Sequence, residues 1–267
     1  MTNQSAASAK DPAPATRRSR TSLPVEEATA YSVYLELLQG EACAAHVAEL
    51  PGCHVTAADE REALLVLPER IEQHRAWRER HGLPRLAESG TPLVVKQVVS
   101  GPRPWAPYGA SALFAIDRRL LTDQELDGHL RVLACARADL LRAAHAIPRG
   151  AFDDAMLGQD RTIRGMLVHL ADQEIWLMSR LGRRITVEER DPLRRLVDVR
   201  ARTLEHLMRY GREDRDLIFV PTERVSEDPE EMWSLRKFLR RLIEHELDHM
   251  EKLRAAALHW SHGTGLE

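Results

Sequence analysis

The sequence predicts an α+β chain in two bodies: a small α+β unit at residues 29–118 and an up-and-down four-helix bundle at 119–262. Three observations lead there. Ala42, Ala44, His46 and Ala48 alternate with their neighbours, and with residues 31–38 they flank a Gln39-Gly40 turn, as the strands of a hairpin do. From Thr122 onward the apolar period changes to that of amphipathic helices, joined by turns and one long connection. The last helix, 234–259, contains neither Pro nor Gly and carries Glu244-His245-Glu246-Leu247-Asp248-His249 near its middle.

With 267 residues the chain has room for two domains of ordinary size. Charged residues make up 30% and hydrophobic ones 43%, with a net charge of −3, which fits a soluble globular protein and argues against wholesale nucleic-acid binding. The many Arg residues are balanced by Asp and Glu along the helices and read as solvated faces. Cys43, Cys53 and Cys135 form no CxxC and no even set, which fits a reducing cytoplasm and predicts buried free thiols. No apolar run approaches the ~18 residues of a membrane span. The N-terminus lacks the apolar core of a secretory signal, so a cytoplasmic protein is expected.

Residues 1–28, rich in Ala, Ser, Pro and Thr with a basic cluster at Arg17, Arg18 and Arg20, cannot bury a core and predict a disordered tail. After the hairpin, Pro51-Gly52 turns the chain into a short strand at 54–56. Asp59 then caps a helix over 60–81 with Leu64, Leu67, Ile71 and Trp77 in its stripe; Pro68 predicts a kink or a late start. Residues 92–99 and 112–116 read as further strands. In the second body Thr122 and Glu125 form a capping box for a helix to about residue 146. A loop at 148–158 leads to a helix over about 160–181, with Ile163, Leu167, Leu170 and Leu177 in one stripe, His169 in the adjacent row, and Gly182 as its stop. Thr186 and Glu189 read as a second capping box, opening a helix that reaches Tyr210. Residues 212–233 are irregular, and Ser234 caps the last helix.

That helix carries the chemistry. Phe238, Leu242, His245, His249 and Ala256 recur at helical spacing, so both imidazoles share the core-facing stripe. Two His four positions apart have Cβ atoms about 5–6 Å from each other and can grip one metal ion. The best third ligand is His169, on the apolar helix upstream. Three neutral imidazoles with an open position describe a catalytic site better than a closed structural one, and they suit zinc, nickel and copper alike. Asp172, Glu174 and Glu246 are candidate partners for the imidazole N–H groups, though a helix-surface place is the plainer reading for each. His245-Glu246-Leu247-Asp248-His249 also satisfies the H-E-x-x-H pattern of metalloproteases. Against that, position 255 is Ala, position 252 is Lys, and eighteen residues after His249 leave no room for a distal ligand helix.

Two resemblances follow from these motifs. Ala48-Glu49-Leu50-Pro51-Gly52-Cys53-His54, with Ala58-Asp59-Glu60-Arg61-Glu62-Ala63-Leu64, resembles the HicB antitoxin family over some fifty residues. No ribbon–helix–helix or helix-turn-helix reader follows, so this resemblance implies the fold more than antitoxin activity. His169-Leu170-Ala171-Asp172-Gln173-Glu174-Ile175-Trp176, with His245 and His249, resembles the DinB/YfiT family of metal-binding four-helix bundles. That family takes one His from its second helix and an HxxxH pair from its fourth, which implies His169, His245 and His249 as the metal ligands here. It also implies a zinc or nickel ion and, in its better understood branches, a low-molecular-weight thiol.

The resulting expectation is a metal-dependent protein acting as a thiol-dependent transferase or isomerase, or as a hydrolase, on a small-molecule substrate. The alternative is a non-enzymatic regulatory or toxin-antitoxin-like binding protein with a metal-stabilised bundle, whose first unit engages a protein or nucleic-acid partner. A homodimer is expected in either case, since both families commonly self-associate.

Overall fold

Alternating side chains build the first layer. In the computed structural model, which describes residues 30–38, 42–86, 88, 90–100, 112–155, 161–221 and 231–263, the protein is α+β, with a four-stranded mixed sheet and five α-helices. The expected tail at 1–28 and the Gln39-Gly40 turn lie outside the described residues. Strands β1 (Tyr31–Leu37), β2 (Cys43–Val47) and β3 (His54–Ala57) pair antiparallel in succession. Strand β4 (Leu93–Ser100) adds parallel to β1, giving the order β3-β2-β1-β4.

A parallel neighbour requires a crossover, and α1 (Glu60–Arg80) supplies it. Asp59 caps α1 by accepting from the Glu62 backbone N–H. Ala63, Leu67 and Ile71 pack with Tyr31, Val33, Leu35 and Val47 into the sheet's core. Pro68 sits inside α1 on its exposed side, and the helix neither starts late nor ends there. Leu67 and Ile71, anchored on either side of it, outweigh the one lost backbone bond.

The strand expected at 112–116 does not form. Residues 112–114 are irregular and a 3-10 turn covers Ala115–Arg118. Side chains take the backbone donors a strand would need: Ala112 N–H donates to Glu36, Phe114 N–H to Asp117 and Ala115 N–H to Gln97.

Helices α2 (Asp123–His145), α3 (Ile163–Arg180), α4 (Pro192–Leu207) and α5 (Leu235–Gly263) surround a common core that includes Leu133, Leu140, Leu167, Leu196, Phe238 and Leu242. The Thr122–Glu125 capping box forms as read, and Ser234 accepts from the Lys237 backbone N–H at the start of α5. The box read at Thr186 and Glu189 does not. Glu189 turns to the backbone N–H groups of Arg190 and Asp191, and α4 starts at Pro192 with Asp191 capping Leu193 and Arg194. Proline at the first helical position, where no N–H partner is needed, fixes that later start. Likewise α3 begins after Thr162, whose hydroxyl accepts from the Gly165 N–H.

Helix α5 serves both layers. One side joins α2 and α3; another meets the sheet through His46–Glu244 and His54–Asp248. The Pro51-Gly52 turn lies against it so closely that a Cβ on Gly52 (φ 89°) would come within 2.7 Å of Leu247 and Ile243 side-chain atoms. From α1, Trp77 enters the helical core and its indole N–H donates to Asp139 of α2 at 2.9 Å. Among the described residues, no helix is long and apolar enough to cross a membrane. Cys43 and Cys53 are buried free thiols, and Cys135 is half-buried.

Candidate metal centre

Helix α3 and helix α5 bring the three histidines together. Nε2 of His245 lies 3.0 Å from Nε2 of His169 and 3.1 Å from Nε2 of His249. The ligand atoms of all three fall within 4.8 Å of one another, and no other His, Cys, Asp or Glu joins them among the described residues. His249 is buried, while His169 and His245 are half-buried. The rings meet edge to face, with centroids 4.4–5.2 Å apart.

Their electrostatics favour the lone-pair form. Burial is the largest cause in each case, and it is reinforced by neighbouring cations and by the other imidazoles. His169 is lowered to about 4 by burial and Arg161, against a smaller opposing effect of Asp172. His249 falls to about 3 through burial, Lys252 and His169, and His245 drops well below the ordinary range through burial, His249 and His169. All three are neutral at pH 7. Neutral rings facing each other through the same nitrogen cannot all be satisfied by sharing protons, and His249 Nδ1 is a further buried atom without a hydrogen-bond partner among the described residues. A divalent cation fits this donor set, since it needs deprotonated imidazoles and takes their lone pairs on one point.

The three carboxylates considered as partners of these imidazoles do other work. Asp172 is exposed and pairs with Arg195 at 2.9 Å. Glu174 and Glu246, read as surface residues, are buried, and both bind Arg137 and Arg200. Arg137 donates to Glu246 at 2.5 Å and Glu174 at 2.8 Å; Arg200 donates to Glu174 at 2.8 Å and also to Glu246. This closed ring of two cations and two anions joins α2, α3, α4 and α5. Burial would raise the Glu174 carboxyl, but Arg200 and Arg137 hold it below the ordinary carboxylate range. A Glu246 engaged by two guanidiniums is not a free base, which disposes of the H-E-x-x-H reading on physical grounds.

The sequence held a signal for this ring. Arg137 interrupts the stripe Leu133 and Leu140, Glu174 the stripe Leu167, Leu170 and Leu177, Arg200 the stripe Leu196 and Leu207, and Glu246 the stripe Leu242, Met250 and Leu253. A single charge placed inside an apolar stripe on each of four helices, balanced in sign, marks a buried network rather than solvated faces.

Four other histidines hold the fold together. His46 and His54, on β2 and β3, pair with Glu244 at 2.7 Å and Asp248 at 3.2 Å, fastening the sheet to α5. His129 and His145 each donate to the carbonyl one turn back on α2. Comparison with known protein families, with curated proteins and with solved structures finds no match.

Proposed function

We propose that this chain is a divalent-metal-dependent enzyme of the DinB/YfiT type, with helices α2 to α5 as its four-helix bundle and His169, His245 and His249 as its ligands. In this reading the first unit has a HicB-like fold and serves as a buttress for α5. The observation that carries the proposal is the convergence of three Nε2 atoms from two helices, 3.0 and 3.1 Å apart, with no carboxylate among them. A zinc or nickel ion held there would acidify a bound water or a small thiol, giving a nucleophile at neutral pH. The chain's own part is to keep three imidazoles neutral and fixed. Lys252 and Arg161, two of the cations that depress them, add a positive field suited to an anionic thiol or carboxylate substrate. The activity proposed is a thiol-dependent transfer or isomerisation, with hydrolysis of a small substrate as the variant in which water replaces the thiol.

The test is elemental analysis of protein purified without an affinity tag, followed by thiol-dependence assays on the metal-loaded protein. About one zinc or nickel per chain is expected; a metal-free protein that also fails to take up either ion overturns the proposal.

The regulatory alternative draws support from the sheet's attachment to the ligand-bearing helix through His46–Glu244 and His54–Asp248. In that reading the metal stabilises the bundle and the first unit engages a partner. A homodimer is proposed in both readings, and a clean monomer by light scattering at micromolar concentration refutes it.

A further inference from the structure

Helix α3 carries a second group at the spacing that α5 uses for its ligands. Gln173 follows His169 by four residues, as His249 follows His245, so the two helices offer an H-x-x-x-Q and an H-x-x-x-H pair. Residues so spaced stand on one helix face, with Cβ atoms about 5–6 Å apart. The flanking members of that face fix its direction. His169 meets His245 of α5, and Trp176, seven residues on from His169, packs edge to face on Trp233, which leads into α5, with ring centroids 5.7 Å apart. Gln173 stands between them on the α5 side, displaced from His169 toward the start of α5.

Gln173 is 3% exposed, and its Oε1 has no hydrogen-bond partner among the described residues. An amide oxygen buried without a donor is costly, and native proteins tolerate it where a ligand or ion completes the site. Its neighbour Glu174 shows the contrast, since both of its oxygens are engaged by arginines. The carboxamide oxygen is a neutral, hard donor that divalent cations accept beside imidazole.

We infer that Gln173 is a fourth protein group of the metal centre, its Oε1 directed at the ion or at a water or substrate donor carried by it. This rests on the three-His reading above, and it makes the site a 3-His-1-amide centre rather than a bare three-imidazole face. A neutral fourth donor leaves the net charge of the site at that of the ion, which favours an anionic ligand in the remaining position.

The experiment uses full-length protein, stripped of metal and titrated with Co²⁺ and Zn²⁺ against a chromophoric chelator, for wild type, Gln173→Leu and Gln173→Glu. Gln173→Leu is expected to weaken both ions by about 10- to 100-fold and to shift the visible Co²⁺ bands. Its metal-free form should melt at or above the wild-type temperature, because an apolar side chain of similar size removes an unsatisfied oxygen. Gln173→Glu, which supplies an anionic oxygen in the same place, is expected to bind at least as tightly as wild type. Unchanged affinity and Co²⁺ spectrum in Gln173→Leu would overturn the role of Gln173 while leaving the three-His site standing. A lower melting temperature of its metal-free form with unchanged affinity would assign Gln173 to packing. Failure of the wild type to bind either ion overturns both.

Discussion

Glu246 lies between His245 and His249 on one turn of α5, yet the two clusters they belong to are built on opposite terms. Around Glu246 every charge is answered: Arg137 and Arg200 share Glu174 and Glu246, and four helices are tied at one buried point. Around His245, among the described residues, no carboxylate joins the three imidazoles. Three neutral rings present the same nitrogen to one another, and Arg161 at His169 and Lys252 at His249 act more strongly than the nearby Asp172 and Asp248. A saturated network is a structural device whose value is felt when one member is removed. The three imidazoles beside that network could hold a metal ion, and their free energy would be realised when one binds.

The comparison breaks most visibly at the ring. Glu246→Ala leaves two buried guanidiniums facing one carboxylate and should cost about 3–5 kcal/mol, read as a fall in the urea midpoint. A variant as stable as wild type would mean that the ring does not hold the helices. Gly52→Ala tests the other support of α5. Its Cβ would overlap Leu247 and Ile243 in a backbone conformation that suits glycine, at a cost of about 1–3 kcal/mol. An unchanged urea midpoint would show the sheet to be loosely seated.

Acid sharpens the contrast between neutral and charged burial. Burial, with Arg78 and Arg70, lowers His74 to about 3; burial takes His129 to about 4. Their folded values lie below the ordinary unfolded value near 6.5, so between the two the unfolded chain binds more protons. The stabilisation is therefore complete above about pH 6.5 and is lost as pH falls toward 4, by about 1 kcal/mol per pH unit for each histidine. Chelator-treated protein melted from pH 7.5 to 4.5 should show that decline, and a His129→Gln variant should make it shallower, with His74 and the three clustered imidazoles keeping the rest; a slope unaffected by the substitution contradicts the assignment. The smallest effect is expected at the site itself. His169→Ala removes a half-buried imidazole and should change the stability of the metal-free protein by less than about 1 kcal/mol. A loss of several kcal/mol would make His169 a packing residue.

Much of this was legible because it is local. The caps at Asp59, Thr122 and Ser234, the apolar stripes and the His245/His249 spacing are all written within a few residues of one another. Parts of the second layer were not. Pro192 overrode a plausible box at Thr186, and side-chain acceptors on Glu36, Asp117 and Gln97 drew 112–116 out of a strand. The first turned on a competing cap a few residues further on, and the second depends on partners up to 76 residues away. Arg137, Glu174, Arg200 and Glu246 looked like solvated charge because each helix shows only one of them, and only their position inside apolar stripes distinguishes inward from outward. Gln173 was masked by chemistry, since an amide is unremarkable until its oxygen is found buried and unanswered.

The central claim is that α3 and α5 together hold one divalent ion through His169, His245 and His249. Metal stoichiometry of the double variant His245→Ala, His249→Ala tests it most directly, measured beside wild type after loading with zinc or nickel and exhaustive gel filtration. Wild type should retain about one ion per chain and the double variant none, with the helical circular dichroism of the two superimposable because the apolar stripes carry the fold. Retention of one ion per chain by the folded double variant would contradict the claim.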